Sequence, residues 1–353
     1  MGEFPLVALL PDDLRSALDG ELGRFPESRL AQAVDKLSTR YRQGDAATSP
    51  ILSSEIDVAA YAGYRMPATY AAVAAAFGEA AAAAPSFAPR TQIDIGGGTG
   101  AAVWAAAQVW PSLSKCAVIE QVAGALTLGR KLASTAVSPA VRGTTWQRGL
   151  VDPASAPPEA DLVTMSYVLG ELPERSRDDV VRWLAAKAGT VALIEPGTPA
   201  GFARIRAARD VLRGMGRRLV APCPHDGECP IRPGEDWCHF AARLPRSSLH
   251  RRIKASTLGF EDEKFSYVVA SAVPAGVAGP AGVTGPAALG PDLDLGRPDA
   301  RILRHPRKHK GWVQLDLCTV DGLAPGVTVS KRQGPHYRAA RSAEWGDAWN
   351  TEK

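Results

Sequence analysis

Residues 91–100 read Thr91-Gln-Ile-Asp94-Ile-Gly96-Gly-Gly98-Thr-Gly100, and this stretch decides the fold. A short apolar run ends in closely spaced glycines, and an alanine-rich stretch follows. That order predicts a strand, a tight turn and a helix. Glycine lets the chain turn sharply and brings backbone N–H groups close to whatever sits at the helix N-terminus. A bare GxGxG is a weak signal. A dinucleotide-binding turn asks for glycine at 101; Ala101 stands there, a substitution that pattern tolerates.

Downstream, short apolar runs at 93–95, 117–119, 161–166 and 191–194 alternate with helical stretches at 100–109, 122–136, 175–188 and 201–213. Strands alternating with helices of this length imply right-handed crossovers and a mostly parallel sheet. The expected fold is therefore α/β, with a Rossmann-like sheet. Residues 264–270 (KFSYVVA) read as a later strand, antiparallel at the sheet edge. Upstream, helical spacing through Leu30, Ala33, Val34 and Leu37, and again over 58–77, predicts a helical amino-terminal region, 1–88. The sheet domain spans 89–272, with a cysteine-rich insertion at 221–258. A Gly/Pro/Ala-rich connector fills 273–300, and a basic carboxy-terminal segment, 301–353, carries strand-like runs at 312–317 and 327–329.

With 353 residues, 45% hydrophobic and 22% charged, the chain can bury a substantial core. The amino terminus, MGEFPLVALLPDDL, lacks a basic n-region and does not read as a signal peptide. The apolar stretch 71–84 is mostly alanine, is interrupted by Glu79 and predicts no membrane span. A cytoplasmic, monomeric protein is expected. The net charge of +4 is mild, but cations cluster without acids at 301–310 (RILRHPRKHK) and 243–254, and Lys331, Arg332, Arg338 and Arg341 follow. A solvated face is the common meaning of one such patch; several together attract phosphate backbones.

Two carboxylates choose the ligand of the turn. Asp94 lies on the strand just before it, placed for the amino end of a methionine moiety. Glu120 ends the next strand, where a carboxylate accepts both hydroxyls of a ribose. With Gly96, Gly98 and Gly100 they point to S-adenosylmethionine. At the end of the fourth strand, Ser166-Tyr167-Val-Leu-Gly-Glu171 replaces the Asn/Asp-Pro-Pro-aromatic run of enzymes that methylate base amines. Tyr167 and Glu171 are the candidate acceptor-side residues, against the plain alternative of a strand-to-helix connection. Cys116 begins the second strand, the wrong place for the cysteine of a cytosine-C5 mechanism.

Three of the five cysteines are bunched: Cys223, Cys229 and Cys238 form C-x5-C-x8-C. Interleaved with proline, glycine and acids, they read as metal ligands rather than a disulfide framework. A closed site needs a fourth ligand, for which Cys318, His225 and His239 are candidates. Spacing does not separate zinc from iron–sulfur.

The run CPHDGECPIRPGEDWCHF (223–240), followed by RSSLHRRIK (246–254) and EDEKFSY (261–267), resembles the methyltransferase-like assembly factors of the mitochondrial small ribosomal subunit and their bacterial relatives. KGWVQLDLCTVDG (310–322), VSKRQG (329–334), YRAARSAEWGDAW (337–349) and Tyr64-Arg-Met-Pro-Ala-Thr-Tyr70 extend the likeness over most of the chain. The resemblance implies a [4Fe–4S] cluster, with Cys223, Cys229, Cys238 and Cys318 at the ligand positions, and binding to small-subunit ribosomal RNA. A cluster joining Cys318 to the 223–238 loop would staple the carboxy-terminal segment to the sheet domain. The basic stretches would then meet RNA phosphates, with Trp237, His239 and Trp312 available to stack on bases. Two functions follow. One is an adenosylmethionine-dependent RNA methyltransferase; the other is a non-catalytic assembly factor of that fold.

Overall fold

The structure is a computed structural model that describes residues 9–43, 54–246, 259–272 and 295–350. The run 274–291 and the cations Arg251, Arg252 and Lys254 lie outside the described residues.

The main sheet grows from the glycine-turn strand, β1 (Thr91–Ile95). β2 (Lys115–Glu120) pairs parallel to it on one side, with β3 (Thr145–Arg148) beyond; β4 (Leu162–Ser166) and then β5 (Thr190–Pro196) lie on the other. The later strands are β6 (Arg218–Ala221), β7 (Phe240–Pro245) and β8 (Phe260–Ser271). The order is β3-β2-β1-β4-β5-β8-β6, with β7 also on β8. This is a Rossmann-like sheet whose winding reverses between β1 and β4, and in open α/β sheets ligands bind at that switch point.

Side-chain alternation explains the layers. In β5, Val191 and Leu193 face α7 (Arg177–Ala185) and α8 (Pro199–Gly214), while Ala192 and Ile194 face the opposite layer. That opposite layer contains α4 (Ala101–Val109), α5 (Ala123–Ala133), the single turn α6 (Pro139–Arg142) and the 29-residue α3 (Glu55–Ala83). Ser54 caps α3 by accepting from the Asp57 N–H at 3.3 Å. The helix is apolar around most of its circumference because it is covered on most sides, by α4, β6, β7, β8 and the small helices α1 (Asp12–Leu22) and α2 (Glu27–Gln43). Among the described residues no helix is long and apolar enough to cross a membrane.

β8 corrects the expected edge strand. It is antiparallel, but it lies between β5 on one side and β6 and β7, end to end, on the other. The unbroken burial of Phe265–Ser271 is what a central position demands, since both faces are covered. β3, β6 and β7 are short; β3 is largely polar, β7 alternates buried and more exposed positions, and β6 carries only the three apolar residues Leu219, Val220 and Ala221.

The carboxy-terminal residues form a second, antiparallel sheet. It contains β9 (Ala300–Ile302), β10 (Arg307–His309), β11 (Trp312–Thr319), β12 (Gly322–Ser330) and β13 (Ala348–Trp349). Val313, Leu315, Leu317 and Val329 face Ala340 of the helix Pro335–Ser342 and make its core. The connector expected over 273–300 is not loose at its end: Leu295 is buried against the α3 layer, and Arg297 donates to the Leu219 carbonyl (3.1 Å) and Asp226 (2.9 Å).

Candidate functional site

Gly96, Gly98 and Gly100 all have positive φ (67°, 55° and 88°), a region that costs other residues strain. Two of them are also sterically fixed. A Cβ on Gly96 would stand 2.6 Å from Val168, and one on Gly100 would stand 2.7 Å from the Trp146 ring of β3. The Gly96 N–H donates to the Ile119 carbonyl at 2.8 Å, which ties the turn to β2.

Beneath the turn lies a buried polar chain. Gln92 Nε2 donates to Thr164 Oγ1 (3.2 Å), which in turn donates to Asp94 Oδ1 (2.7 Å). Asp94 is 1% exposed, and burial, with the nearby Glu120 charge adding to it, pushes its carboxyl up to about 7. Glu120 closes the turn from the side: Oε2 accepts from the Gly98 N–H (3.0 Å) and Oε1 from the Val122 N–H (2.9 Å). The five residues singled out in sequence therefore meet at the β1/β4 switch point.

The acceptor-side pair divides. Tyr167, at φ 62°, donates its phenol hydrogen to Glu263 Oε1 at 2.9 Å. Arg65 of α3 pairs with the same carboxylate at 3.2 Å and lies over the Tyr167 ring, 5.1 Å from its centroid. Burial and the Glu263 charge raise the phenol well above its ordinary value. Tyr167 thus closes the wall between three elements. Glu171, on the following turn, is exposed, yet the surrounding protein together with Glu120 and Glu195 raises its carboxyl to about 7. Cys116 is buried, with its thiol pushed up to about 12, so it offers no thiolate.

The four cysteines face a common cavity. Cys223 follows β6, Cys229 and Cys238 lie on the loop to β7, and Cys318 is on β11; all four line one cavity. Among the described residues no three His, Cys, Asp or Glu side chains are grouped closely enough to hold a single ion. Arg209 of α8 donates to Cys223 Sγ at 3.3 Å and to the Gly227 carbonyl. Arg206 also lines the cavity, and its buried Nη1 has no hydrogen-bond partner among the described residues. His225 Nε2 lies 3.9 Å from Cys318 Sγ. His239 faces elsewhere, its ring 4.1 Å from that of Trp345, and burial with nearby cations lowers it to about 4. Trp237 Nε1 donates to the Gly197 carbonyl (3.2 Å) and packs beside Cys238. Of the three stacking candidates, Trp237 and His239 are therefore committed to packing.

The basic stretch 301–310 is also largely spoken for. Arg301, 3% exposed, pairs with Glu79 (2.6 Å) and donates to the Pro222 (3.2 Å) and Gly346 (2.9 Å) carbonyls. Arg304 pairs with Asp236, Arg307 with Asp316 (3.0 Å) and Lys308 with Glu344 (3.1 Å). In the 243–254 stretch, Arg243 and Arg246 pair with Asp262 and Glu261. Local charge runs were read without their partners, which come from distant segments and leave no periodic trace. Thr164, Trp146, Arg209 and the Arg65–Glu263 pair were missed for the same reason.

A family model described as mitochondrial small ribosomal subunit Rsm22 matches residues 55–350. The human mitochondrial ribosome assembly protein METTL17 is 32% identical over 310 residues, covering 81% of this chain and 61% of METTL17. The mitochondrial ribosome assembly protein RSM22 of Saccharomyces cerevisiae is 21% identical over 280 residues, covering 54% of this chain and 44% of its own. The chain thus spans less than two thirds of the length of these relatives. Among solved structures, a putative RNA methyltransferase from Pyrococcus horikoshii gives a TM-score of 0.39 at 14% identity, covering 69% of this chain and 95% of its own. PigF with SAH gives 0.40 at 16%, covering 72% and 73%. The expected cytoplasmic location is overturned: the family model and the relatives named are mitochondrial.

Proposed function

The chain belongs to the Rsm22 family, and from there we propose that it is an adenosylmethionine-binding, methyltransferase-fold protein that acts on the small ribosomal subunit through its RNA. The observation that carries the reading is the turn at the switch point, with Asp94 beneath it and Glu120 beside it. Asp94 takes the ligand's ammonium group, and Gly96, Gly98 and Gly100 let the backbone approach it. Glu120 takes the ribose hydroxyls; its carboxylate has lone pairs left after two N–H bonds. Isothermal titration with adenosylmethionine should give a binding isotherm that Asp94→Ala abolishes, and no heat from the wild type would remove the ligand.

In this reading Cys223, Cys229, Cys238 and Cys318 hold a [4Fe–4S] cluster. What supports the reading is the donor set: the four thiols line one cavity, and thiolate is the usual ligand of such a cluster. Four thiolates make the loaded cluster anionic, which suits the Arg209 N–H on Cys223 and the unpartnered Arg206 Nη1. When bound, the cluster supplies four iron–thiolate bonds across the loop and β11, and a one-electron couple. Anaerobically purified protein should be brown and contain about four irons per chain. Colourless protein with one zinc would replace the cluster with zinc.

Binding without turnover is the second reading, favoured by the engagement of Tyr167 with Glu263. If a methyl group is transferred, Glu171 is the group able to accept the acceptor's proton near neutral pH. Methylation mapping of small-subunit RNA in a deletion strain separates the two: a lost methyl mark means transfer, whereas stalled particles with every mark intact mean assembly alone.

A further inference from the structure

The geometry points to the outer face of the carboxy-terminal sheet as a docking surface for unpaired RNA, with His309 and Trp312 stacking a base and Lys310, Lys331 and Arg332 holding neighbouring phosphates. The inference rests on the RNA reading above and gives it a location.

The sheet has two unlike faces. Val313, Leu315 and Val329 point inward to Ala340 and complete the core. The alternate positions point away from that core, and among them Arg307, His309, Trp312, Gln314, Thr328 and Ser330 stand side by side across three strands. His309 and Trp312 are direct cross-strand partners at the β10–β11 hairpin tip, their rings stacked 3.8 Å apart at 13°. His309 is exposed, and the inner core is complete without this pair.

Free charge concentrates at the same tip. Lys310, Lys331 and Arg332 are exposed and make no ion pair among the described residues, whereas Arg301, Arg304, Arg307 and Lys308 all do. The Lys331 N–H donates to the Gly311 carbonyl at 2.8 Å, so the two cationic segments are tied together beside the rings. A flat aromatic pair bordered by unpaired cations suits a base plane and its flanking phosphates. Bases inside a duplex are already stacked, so the partner presents at least one unpaired nucleotide.

The test uses the full chain, a fluorescein-labelled oligouridine of about 12 nucleotides and a duplex of equal length, read by anisotropy at several salt concentrations. Trp312→Ala and His309→Ala should each weaken oligouridine binding about tenfold with an unchanged salt slope, and Trp312→Phe should restore it. The triple change Lys310→Glu, Lys331→Glu, Arg332→Glu should weaken binding and flatten the slope by roughly 0.7 per charge removed. Thermal melts check that each variant is folded. If the charge variant alone weakens binding, or the duplex binds as well as the single strand, the stacking surface is overturned. If the wild type binds and no variant matters, the RNA sits elsewhere: the surface falls and the RNA reading stands. If the wild type binds neither the oligouridine nor small-subunit RNA, or binds an acidic protein there instead, both fall.

Discussion

Tyr167 donates a hydrogen bond to Glu263, 96 positions away in the chain, at 2.9 Å. This bond joins the end of β4 to the start of β8, and Arg65 brings α3 to the same carboxylate. Tyr167, an acceptor-side candidate in the sequence, has its hydroxyl engaged by Glu263 and its ring under Arg65. Tyr167→Phe should cost about 1–2 kcal/mol in a denaturant titration and leave adenosylmethionine binding unchanged. Arg65→Met should cost more, because Glu263 then keeps its charge without a cation. If methyl transfer occurs, then with adenosylmethionine saturating, so that the Asp94 ionisation no longer limits binding, Glu171→Gln should abolish the dependence of the rate on an ionisation near pH 7, and Tyr167→Phe should not.

Asp94 sets a pH dependence. Its folded value of about 7 lies above the ordinary 3.8, so the stability this group contributes is full below about 3.8 and is lost as pH rises through 7. Binding of an ammonium group runs the other way, since it needs the carboxylate. Adenosylmethionine affinity should therefore fall roughly tenfold per pH unit below about 7. Asp94→Asn should bind weakly with a flat profile, as titrations between pH 5.5 and 8 would reveal (both limits approximate, chosen to bracket the ionisation).

Gly100→Ala forces a side chain onto a backbone at φ 88° and into the Trp146 ring. Strain and overpacking together should cost about 2 kcal/mol or more. Trp146→Leu in the same chain should recover the packing part, and a double-mutant cycle measures it.

Arg301 joins the second sheet to α3 and to the cysteine loop, independently of any metal. Arg301→Met leaves Glu79 and two carbonyls without their donor, and should cost about 3 kcal/mol. Limited proteolysis should then release the 295–350 region. Cys318→Ser should lower the iron content while leaving that region docked, since Arg301 and the apolar contact of Leu303 with Phe202 and Ile231 remain.

Much of the α/β layout was legible from residues 89–213 because buried strands and amphipathic helices carry their environment in their periodicity. β8 was seen as a strand and misplaced, since a central antiparallel strand and a well-covered edge strand have similar apolar runs. The cysteine block marked itself by composition: thiols among proline, glycine and acids make poor core. Its surroundings, Arg206 and Arg209 on α8, are ordinary helix cations until the helix is laid against the loop.

The sequence by itself determined the glycine turn at 91–100, the carboxylates Asp94 and Glu120, and the bunched cysteines Cys223, Cys229 and Cys238. These depend on residue type and near-neighbour spacing, which the chain carries locally. Only the tertiary structure decided which charges are free. Arg301 and Lys310 look alike in RILRHPRKHK, yet one is buried against Glu79 and the other stands exposed beside His309 and Trp312. A charge is silenced by a partner that the fold brings from elsewhere, and no local pattern records that meeting.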